Sequence, residues 1–308
     1  MTEFNNTTNF DEFKAQIFYS PEYDFLRTNS YLGDHLAFLS FSGPITYGID
    51  IPSMQPSIRG CAFNSREYIY TYHDFEQITN IPTGSEIYSF DRLIQLLTNV
   101  NPSTIELLGL RQWQFIYMTD IGNEIISNKK LFLSKAAVNA LVSEDNIQLC
   151  SDHSVNKIYN GGELIKHTYA EMFKDLENTV LDMHDEEHNK IMMKQRISTY
   201  MFHFLRLFYT VFELLEDNVF SVYRKYDAVK LHDIYRGKYV TDDGKILPEF
   251  YDIISAIENR FTYSYRYSDL IDVPDYQGIR DLYFYINNKV IDGSVFKNKY
   301  TTNNIFIR

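Results

Sequence analysis

The sequence predicts an α/β fold of the α+β type, in which a small mixed sheet precedes a larger helical C-terminal domain and packs against it. Short apolar runs bounded by glycine and proline fill much of residues 31–115 and are typical of strands. Longer segments with helical periodicity follow in residues 116–308. The chain has 308 residues, of which 44% are hydrophobic and 16% aromatic, and this suffices to bury a core.

The first elements are a polar leader with a short helix, predicted over residues 1–30, and a buried strand over HLAFLSF, residues 35–41. The leader helix should stop at Pro21, because proline lacks the amide donor that a helix interior needs. The strand should end in a turn at Ser42-Gly43-Pro44.

Two further strands are predicted from the alternating apolar residues of IRGCAF (58–63) and REYIYTYHDF (66–75). SFDRLIQLLTNV (89–100) predicts a helix with Ser89 as its N-cap. The short apolar run NPSTIELLGL (101–110) precedes the shift to long helical patterns, so the predicted domain boundary lies near residue 115.

The remaining helices are predicted from apolar residues spaced three and four apart. They lie in IGNEIISN, SKAAVNALVSEDN, KHTYAEMFKDLENTVLDMH, KQRISTYMFHFLRLFYTVFELLED, the end of VKLHDIYRGKYVTDDGKILPEFYDIISAIENRF, and DYQGIRDLYFYINNKV. This half of the chain is therefore expected to be mostly helical.

Charge and cysteine content exclude several classes of protein. The formal net charge of -12 disfavours non-specific binding to duplex DNA, which depends on many lysine and arginine contacts. Cys61 and Cys150 are too few and too far apart for a disulfide scaffold or a zinc module, and they fit a reducing cytoplasm. No apolar stretch approaches the ~18 residues of a membrane span, and the N-terminus has no signal-peptide pattern. We therefore expect a cytoplasmic protein without membrane contacts.

One segment has the frame of a two-metal nucleotidyl transfer site. Such a site needs a strand that ends in glycine, a turn, and a second strand with carboxylates at positions i and i+2. The glycine lets backbone amides approach a triphosphate, and the two carboxylates share a strand face on which they hold Mg²⁺. A third acid from a neighbouring strand would complete the metal site.

GPITYGIDIPSMQPSIRGCAF (43–63) resembles the signature of the predicted nucleotidyltransferases of the DNA polymerase beta superfamily. Their usual form is Gly-Ser, a short spacer, Tyr-Gly, then Thr-Pro-x-Ser-Asp-x-Asp-x-Arg-Gly. The matching residues are Gly43, Tyr47, Gly48, Pro52, Ile58, Arg59 and Gly60. The resemblance implies a nucleotidyltransferase-type sheet and a ligand site that includes Gly43, Tyr47, Gly48 and Arg59.

The same alignment implies that catalysis is impaired. The two metal-binding aspartates fall on Gln55 and Ser57, which removes about two negative charges from a site for divalent cations. The serine of the Gly-Ser pair is Pro44, which lacks both the hydroxyl and the backbone N–H. The alternative is that the motif is misaligned by a residue or two and that Gln55 and Ser57 are ordinary strand residues.

The resemblance continues through four later segments. NPSTIELLGL is similar to an Asn-Pro-x-x-x-Glu-Leu-Leu strand and LFLSKAAVNAL to a Phe-Leu-Ser-Lys segment, while YMFHFLRLFYTVFELL and LHDIYRGKY are similar to a His-x-x-Arg helix and an Ile-Arg-Gly-Lys-Tyr turn. It implies Glu106 as the retained acid and adds four ligand-binding candidates, namely His203, Arg206, Arg236 and Lys238.

Each candidate also has a structural alternative. Glu106 fits a metal or nucleotide ligand, or a plain acid at the end of a strand. Arg59 fits a phosphate contact, or an ion pair with a carboxylate. We predict no resident metal site, so that Mg²⁺ and a nucleoside triphosphate are required only if the chain is active.

The helical candidates leave similar choices. His203 and Arg206 lie three residues apart, so they share a helix face that could meet a phosphate or be buried in a structural network. Arg236 and Lys238 fit a phosphate-binding turn or a solvated helix end. HDEEH (184–188) does not match the zinc-protease motif, in which glutamate directly follows the first histidine.

Three hypotheses about function follow. The first is a nucleotidyltransferase-like pseudoenzyme that binds a nucleotide, a nucleic-acid end or a protein partner in the cleft between the predicted domains. The second is an active, metal-dependent enzyme that transfers a nucleotide to RNA, protein or a small molecule. The third is a structural or inhibitory interaction module. The 25 tyrosines and 23 phenylalanines, with many Asn and Ile, suggest an AT-rich genome such as that of a phage.

Overall fold

A computed structural model describes residues 13–15, 17, 19–48, 56–71, 73–143, 146–147, 168–182 and 188–293. The chain forms two compact units. We call them the sheet unit, made of Met1–Ala137, Ser221–Tyr223 and Ile271–Arg308, and the helical unit, made of Val138–Phe220 and Arg224–Leu270. These bounds are not those of the predicted domains, which stay a prediction.

Five strands form one mixed sheet in the sheet unit. They are β1 (Leu36–Ser42), β2 (Ser57–Ala62), β3 (Gln77–Asn80), β4 (Ser85–Ser89) and β5 (Phe115–Met118), in the spatial order β3-β4-β2-β1-β5. β2 and β4 are parallel, and the other neighbouring pairs are antiparallel. The predicted class, mixed α/β, is therefore confirmed.

The α-helices with both ends among the described residues follow in chain order. They are α1 (Phe25–Thr28), α2 (Arg66–Thr71), α3 (Phe90–Thr98), α4 (Pro102–Ile105), α5 (Asp120–Ser127), α6 (Lys135–Leu141), α7 (Tyr169–Asp182), α8 (His188–Asp217), α9 (Ala228–Tyr235), α10 (Pro248–Tyr267) and α11 (Tyr276–Ile291). Short 3-10 turns lie at Pro44–Tyr47 and Glu106–Gly109. The long helices confirm the helical predictions for this part of the chain.

The two faces of the sheet differ in chemistry, because successive side chains of a strand point to opposite sides. One face is apolar and belongs to a buried cluster that includes Leu39, Phe41, Ile58, Ala62 and Ile87. The other carries polar residues at one end. Its members are in register across the strands, as Ser42 with Ser57, Ser40 with Arg59, and Arg59 with Glu86.

Two of the predicted strands are helical instead. REYIYT forms α2, whose first turn is capped by Ser65, since its Oγ accepts the Tyr68 amide at 3.2 Å. NPSTIELLGL forms α4 and a 3-10 turn rather than a strand, because the Asn101 side chain accepts the Thr104 amide at 3.2 Å and Pro102 occupies the first turn. Local caps decide the conformation of these short segments.

Three other local predictions agree with the structure. β1 covers the predicted first strand and β2 the IRGCAF segment. Ser89 caps α3 as predicted, with its Oγ accepting the Arg92 amide at 3.1 Å. The sequence prediction omits β3 and β4, because it places a strand in REYIYTYHDF and none in EQITNIPTGSEIYSF, where the two strands lie.

Aromatic side chains fill much of the helical unit. Phe204 and Phe208 of α8 have ring centroids 4.8 Å apart, and Phe173 of α7 meets Phe250 of α10 at 5.1 Å. These phenylalanine side chains of the helical unit therefore pack its helices against one another. None of the helices within the described ranges is both long enough and apolar enough to cross a membrane.

Candidate functional site

The predicted glycine loop directly follows β1 in the sheet unit. Gly43 and Gly48 both have a φ of 78°, a left-handed conformation that other residues rarely adopt. Between them Pro44–Tyr47 forms a 3-10 turn, in which Thr46 bonds back to the Gly43 carbonyl through its amide at 2.9 Å and its hydroxyl at 2.7 Å. The two glycines are thus required by the shape of the loop itself.

Three contacts hold this loop in place. Gln114 Nε2 donates to the Thr46 carbonyl at 2.7 Å, and Tyr47 Oη donates to Glu106 Oε2 at 3.2 Å. Gly48 packs against the ring of Tyr223, so closely that a Cβ atom would lie 2.4 Å from it. The predicted residues Tyr47, Gly48 and Glu106 are therefore brought together, with Glu106 on a 3-10 turn.

Tyr223 is itself fixed by two side chains of the sheet unit. The Trp113 ring meets it edge-on at 5.1 Å, and the Arg111 guanidinium lies 4.7 Å from its ring centroid. The amide of Val222, its neighbour, donates to the Gly109 carbonyl at 3.1 Å. These contacts stabilise the wall against which Gly48 packs.

A polar network lies at the start of β2, on the polar face of the sheet. Ser57 Oγ donates to the Ser42 carbonyl at 3.2 Å, and Arg59 Nε donates to Ser42 Oγ at 3.0 Å. Arg59 Nη1 lies 3.1 Å from both Glu86 Oε2 and Tyr88 Oη. The acid-pairing alternative for Arg59 therefore describes its contacts in this structure.

Tyr88 adds a hydrogen bond to the same carboxylate. Its hydroxyl donates to Glu86 Oε2 at 2.6 Å. Burial raises the pKa of Tyr88 well above its usual value, and Glu86 adds to this rise while the Arg59 charge opposes it. Tyr88 thus stays a neutral donor near pH 7, and Glu86 is held by both a phenol and a guanidinium.

Glu86 is the residue that the sequence reasoning missed. It lies on β4, the parallel neighbour of β2, where it is the register partner of Arg59. The third acid of a metal site is predicted on a neighbouring strand, and the resemblance implies Glu106, which lies on a 3-10 turn instead. The alternation in SEIYS after Gly84 was the signal that could have identified it.

Gln55 lies outside the described residues, as do residues 184–187 of the HDEEH segment. Among the residues that are described, no three His, Cys, Asp or Glu side chains are grouped closely enough to hold a metal ion.

His203 and Arg206 lie on α8 in the helical unit. His203 is 6% exposed and Arg206 is completely buried. The His203 ring packs edge-on against Phe202 with centroids 4.9 Å apart, and Thr210 Oγ1 donates to the Arg206 carbonyl at 2.9 Å. Their surroundings fit the buried alternative, and a contact with phosphate stays a prediction.

Arg236 and Lys238 follow α9 in the helical unit, and both are exposed. Gly237 between them has a φ of 88°, and Lys238 Nζ lies 3.3 Å from Asp233 Oδ2. A Cβ atom on Gly237 would lie 2.6 Å from the Lys194 side chain. The turn thus presents two cations to solvent, while its glycine is explained by the left-handed backbone and by the close Lys194 side chain.

Comparisons with protein-family models, with curated proteins and with solved structures give no match to this chain. The assignment to the nucleotidyltransferases therefore rests on the quoted motifs and stays a prediction.

Proposed function

We propose that the chain is a nucleotidyltransferase-like pseudoenzyme, which binds a nucleotide or a nucleic-acid end at the polar end of its sheet and transfers nucleotides poorly or not at all. The observation that carries the proposal is the network of Ser57, Arg59 and Glu86. A neutral hydroxyl occupies the strand position that the resemblance assigns to an aspartate, beside a carboxylate that is already paired.

Charge is the first argument for impaired catalysis. A two-metal site gathers carboxylates to balance the charge of the bound Mg²⁺ ions. Ser57 contributes no charge, and its hydroxyl donates to a backbone carbonyl. The charge of Glu86 is balanced by Arg59. This arrangement supports weak affinity for divalent cations.

Anion binding is the second argument. The side chains of Arg59 and Glu86 are 21% and 28% exposed, so solutes can reach the pair from solvent. Guanidinium groups bind phosphate in a bidentate manner, and a phosphate would compete with Glu86 for Arg59. Arg59 Nε also donates to Ser42 Oγ, which fixes the plane of the guanidinium.

The proposal is tested by calorimetric titration of the four nucleoside triphosphates and of short RNA and DNA oligonucleotides, in Mg²⁺ and in EDTA. We expect the natural protein to bind with the same Kd, within about twofold, in both buffers. A Gln55→Asp, Ser57→Asp double variant should bind more tightly in Mg²⁺, because it regains two carboxylates. Ser255→Asp, on the exposed side of α10, is the matched control.

The outcomes separate the three hypotheses. Binding by the natural protein that requires Mg²⁺, or measurable nucleotide transfer, would identify an active enzyme. Absence of binding by both the natural protein and the double variant would support an interaction module.

Glu86→Gln tests the role of the ion pair. Removing the carboxylate leaves Arg59 hydrogen-bonded to the neutral hydroxyls of Ser42 and Tyr88. We expect triphosphate affinity to rise about three- to tenfold, and Arg59→Gln to lower it about tenfold. Arg266→Gln on α10 is the control and should leave triphosphate affinity unchanged. Unchanged affinity in the Glu86 and Arg59 variants would contradict this location of the site.

A further inference from the structure

A concave site lies in the sheet unit, between residues 74–76, α3 and α11. Its volume is about 520 Å³, within the range of roughly 300–1,000 Å³ that is usual for small-molecule sites. It includes none of the residues of the glycine loop or of the Ser57, Arg59 and Glu86 network. We call it the arginine pocket, and its lining includes Arg92, Gln95, Tyr276, Ile279, Arg280 and Tyr283.

Two guanidinium groups from different helices line the arginine pocket. Arg92 Nη1 donates to Gln95 Oε1 at 2.6 Å, and the guanidinium of Arg280 lies 5.5 Å from the ring centroid of Phe284. In the described part of the chain, neither forms an ion pair with a carboxylate. Both positive charges are therefore available to an anion.

The pocket also has a fixed aromatic wall. The ring of Tyr283 stacks on Phe90 with centroids 5.7 Å apart and an interplanar angle of 10°. Its hydroxyl donates to Asp91 at 2.7 Å. Burial, reinforced by Asp91, raises the pKa of Tyr283 to about 12, so the phenol stays neutral and keeps this bond. A rigid ring is well placed to contact a flat ligand.

The lining also contains Asp74, Glu76 and Asp91, which compete less with a bound anion for the two guanidinium groups than their number suggests. Asp91 accepts the hydrogen bond of Tyr283, so one of its oxygens is already engaged. Asp74 and Glu76 lie on the loop before β3 and are exposed, which leaves them well hydrated. Arginine beside aromatic rings is the more specific feature, because its planar donors fix the geometry of a bound anion.

We propose that the arginine pocket binds an organic anion that carries an aromatic ring together with a phosphate or a carboxylate group. Arg92 and Arg280 bind the anionic group, and Tyr276, Ile279 and Tyr283 contact the ring. This site is separate from the nucleotide site proposed above, and it does not depend on that proposal.

The test uses 1-naphthyl phosphate as the probe, titrated calorimetrically into the full chain. Inorganic phosphate and 1-naphthol serve as half-probes, and we expect each to bind at least tenfold more weakly than the whole probe. Arg92→Gln and Arg280→Gln should each weaken binding about tenfold, because each removes a charge-assisted bond. 1-Naphthoate distinguishes the two anion sources, since preference for it over the phosphate assigns a carboxylate ligand and the reverse preference a phosphate.

Two control variants distinguish binding in the arginine pocket from binding at the proposed nucleotide site. Arg59→Gln should leave probe binding unchanged within about twofold, and so should Arg266→Gln in the helical unit. Circular dichroism of each variant verifies that the fold is retained. Probe binding that depends on Arg59 but not on Arg92 or Arg280 would overturn the proposal. Equal affinity for 1-naphthol and the probe, or weakened binding in Glu76→Gln, would overturn it too.

Discussion

Gly48 illustrates how one residue combines a backbone and a packing requirement. Its φ of 78° disfavours any side chain, and the ring of Tyr223 occupies the place of a Cβ atom. Gly33 has a similar φ of 68°, but among the described residues other than its chain neighbours no atom lies within 4 Å of its Cβ position. A comparison of substitutions at Gly33 and Gly48 therefore separates the cost of backbone strain from that of steric overlap.

We predict that Gly33→Ala costs about 1–2 kcal/mol of unfolding free energy, the usual cost of a left-handed alanine. Gly48→Ala should cost roughly 2–4 kcal/mol, because overpacking adds to the same strain. Urea unfolding followed by the fluorescence of Trp113, the single tryptophan of the chain, measures both in the sheet unit. Equal costs in the two variants would show that Tyr223 yields to the new methyl group.

Gly60 is explained by the sheet rather than by a ligand. A Cβ atom there would lie 2.6 Å from the Phe38 carbonyl oxygen and 2.7 Å from Leu39 Cδ2. The Arg-Gly pair of the motif therefore has two separate physical reasons. Arg59 forms the polar network, while Gly60 permits close approach of β1.

Glu216 links the helices α8 and α10 through side-chain hydrogen bonds. Its carboxylate, at the end of α8, accepts hydrogen bonds from Arg260 Nε at 2.9 Å and from Arg260 Nη2 at 2.6 Å. It also accepts one from the Ser264 hydroxyl at 2.5 Å. Both donor residues lie on α10. The hydrogen bond from Arg260 lowers the pKa of Glu216, burial opposes this, and Ser264 lowers it further. The carboxylate is thus stabilised in its charged form.

We predict that Glu216→Gln lowers the unfolding free energy at pH 7 by roughly 1 kcal/mol, a value kept small because the pair is partly exposed. A depressed pKa stabilises the fold above the ordinary glutamate value of 4.5, and this stability is lost as pH falls through the lower folded pKa. The difference between wild type and variant should therefore shrink below pH 4.5 in urea titrations followed by circular dichroism. Asp252→Asn on α10 is the exposed control, and a difference that persists in acid would indicate packing rather than charge.

Element length decides how well the sequence predicts structure here. The periodicity of α8 and α10 extends over many turns, so its helical origin is unambiguous. REYIYT has only six residues, in which alternation and helical spacing cannot be told apart. Its helix depends on the cap supplied by Ser65, and that of PSTI on the cap supplied by Asn101.

Net charge governs behaviour at the scale of the whole molecule. With a formal net charge of -12, the chain repels a phosphate backbone everywhere except at a local basic site. We predict that a 20-base-pair duplex binds with a Kd weaker than about 100 µM in 150 mM salt, measured by fluorescence anisotropy. A single strand of equal length is the matched comparison. Duplex binding below about 10 µM with a steep salt dependence would contradict the prediction.

The sequence by itself determined the class of the fold, the long helices, the first two strands and the cap at Ser89, because these depend on local periodicity and local hydrogen bonds. It also identified the glycine loop and Arg59. Only the tertiary structure decided that Glu86 is the partner of Arg59, since strand register brings together residues that are distant in the chain. The arginine pocket likewise joins residues of α3 and α11. No local pattern encodes such a juxtaposition, because it arises only when separate elements pack.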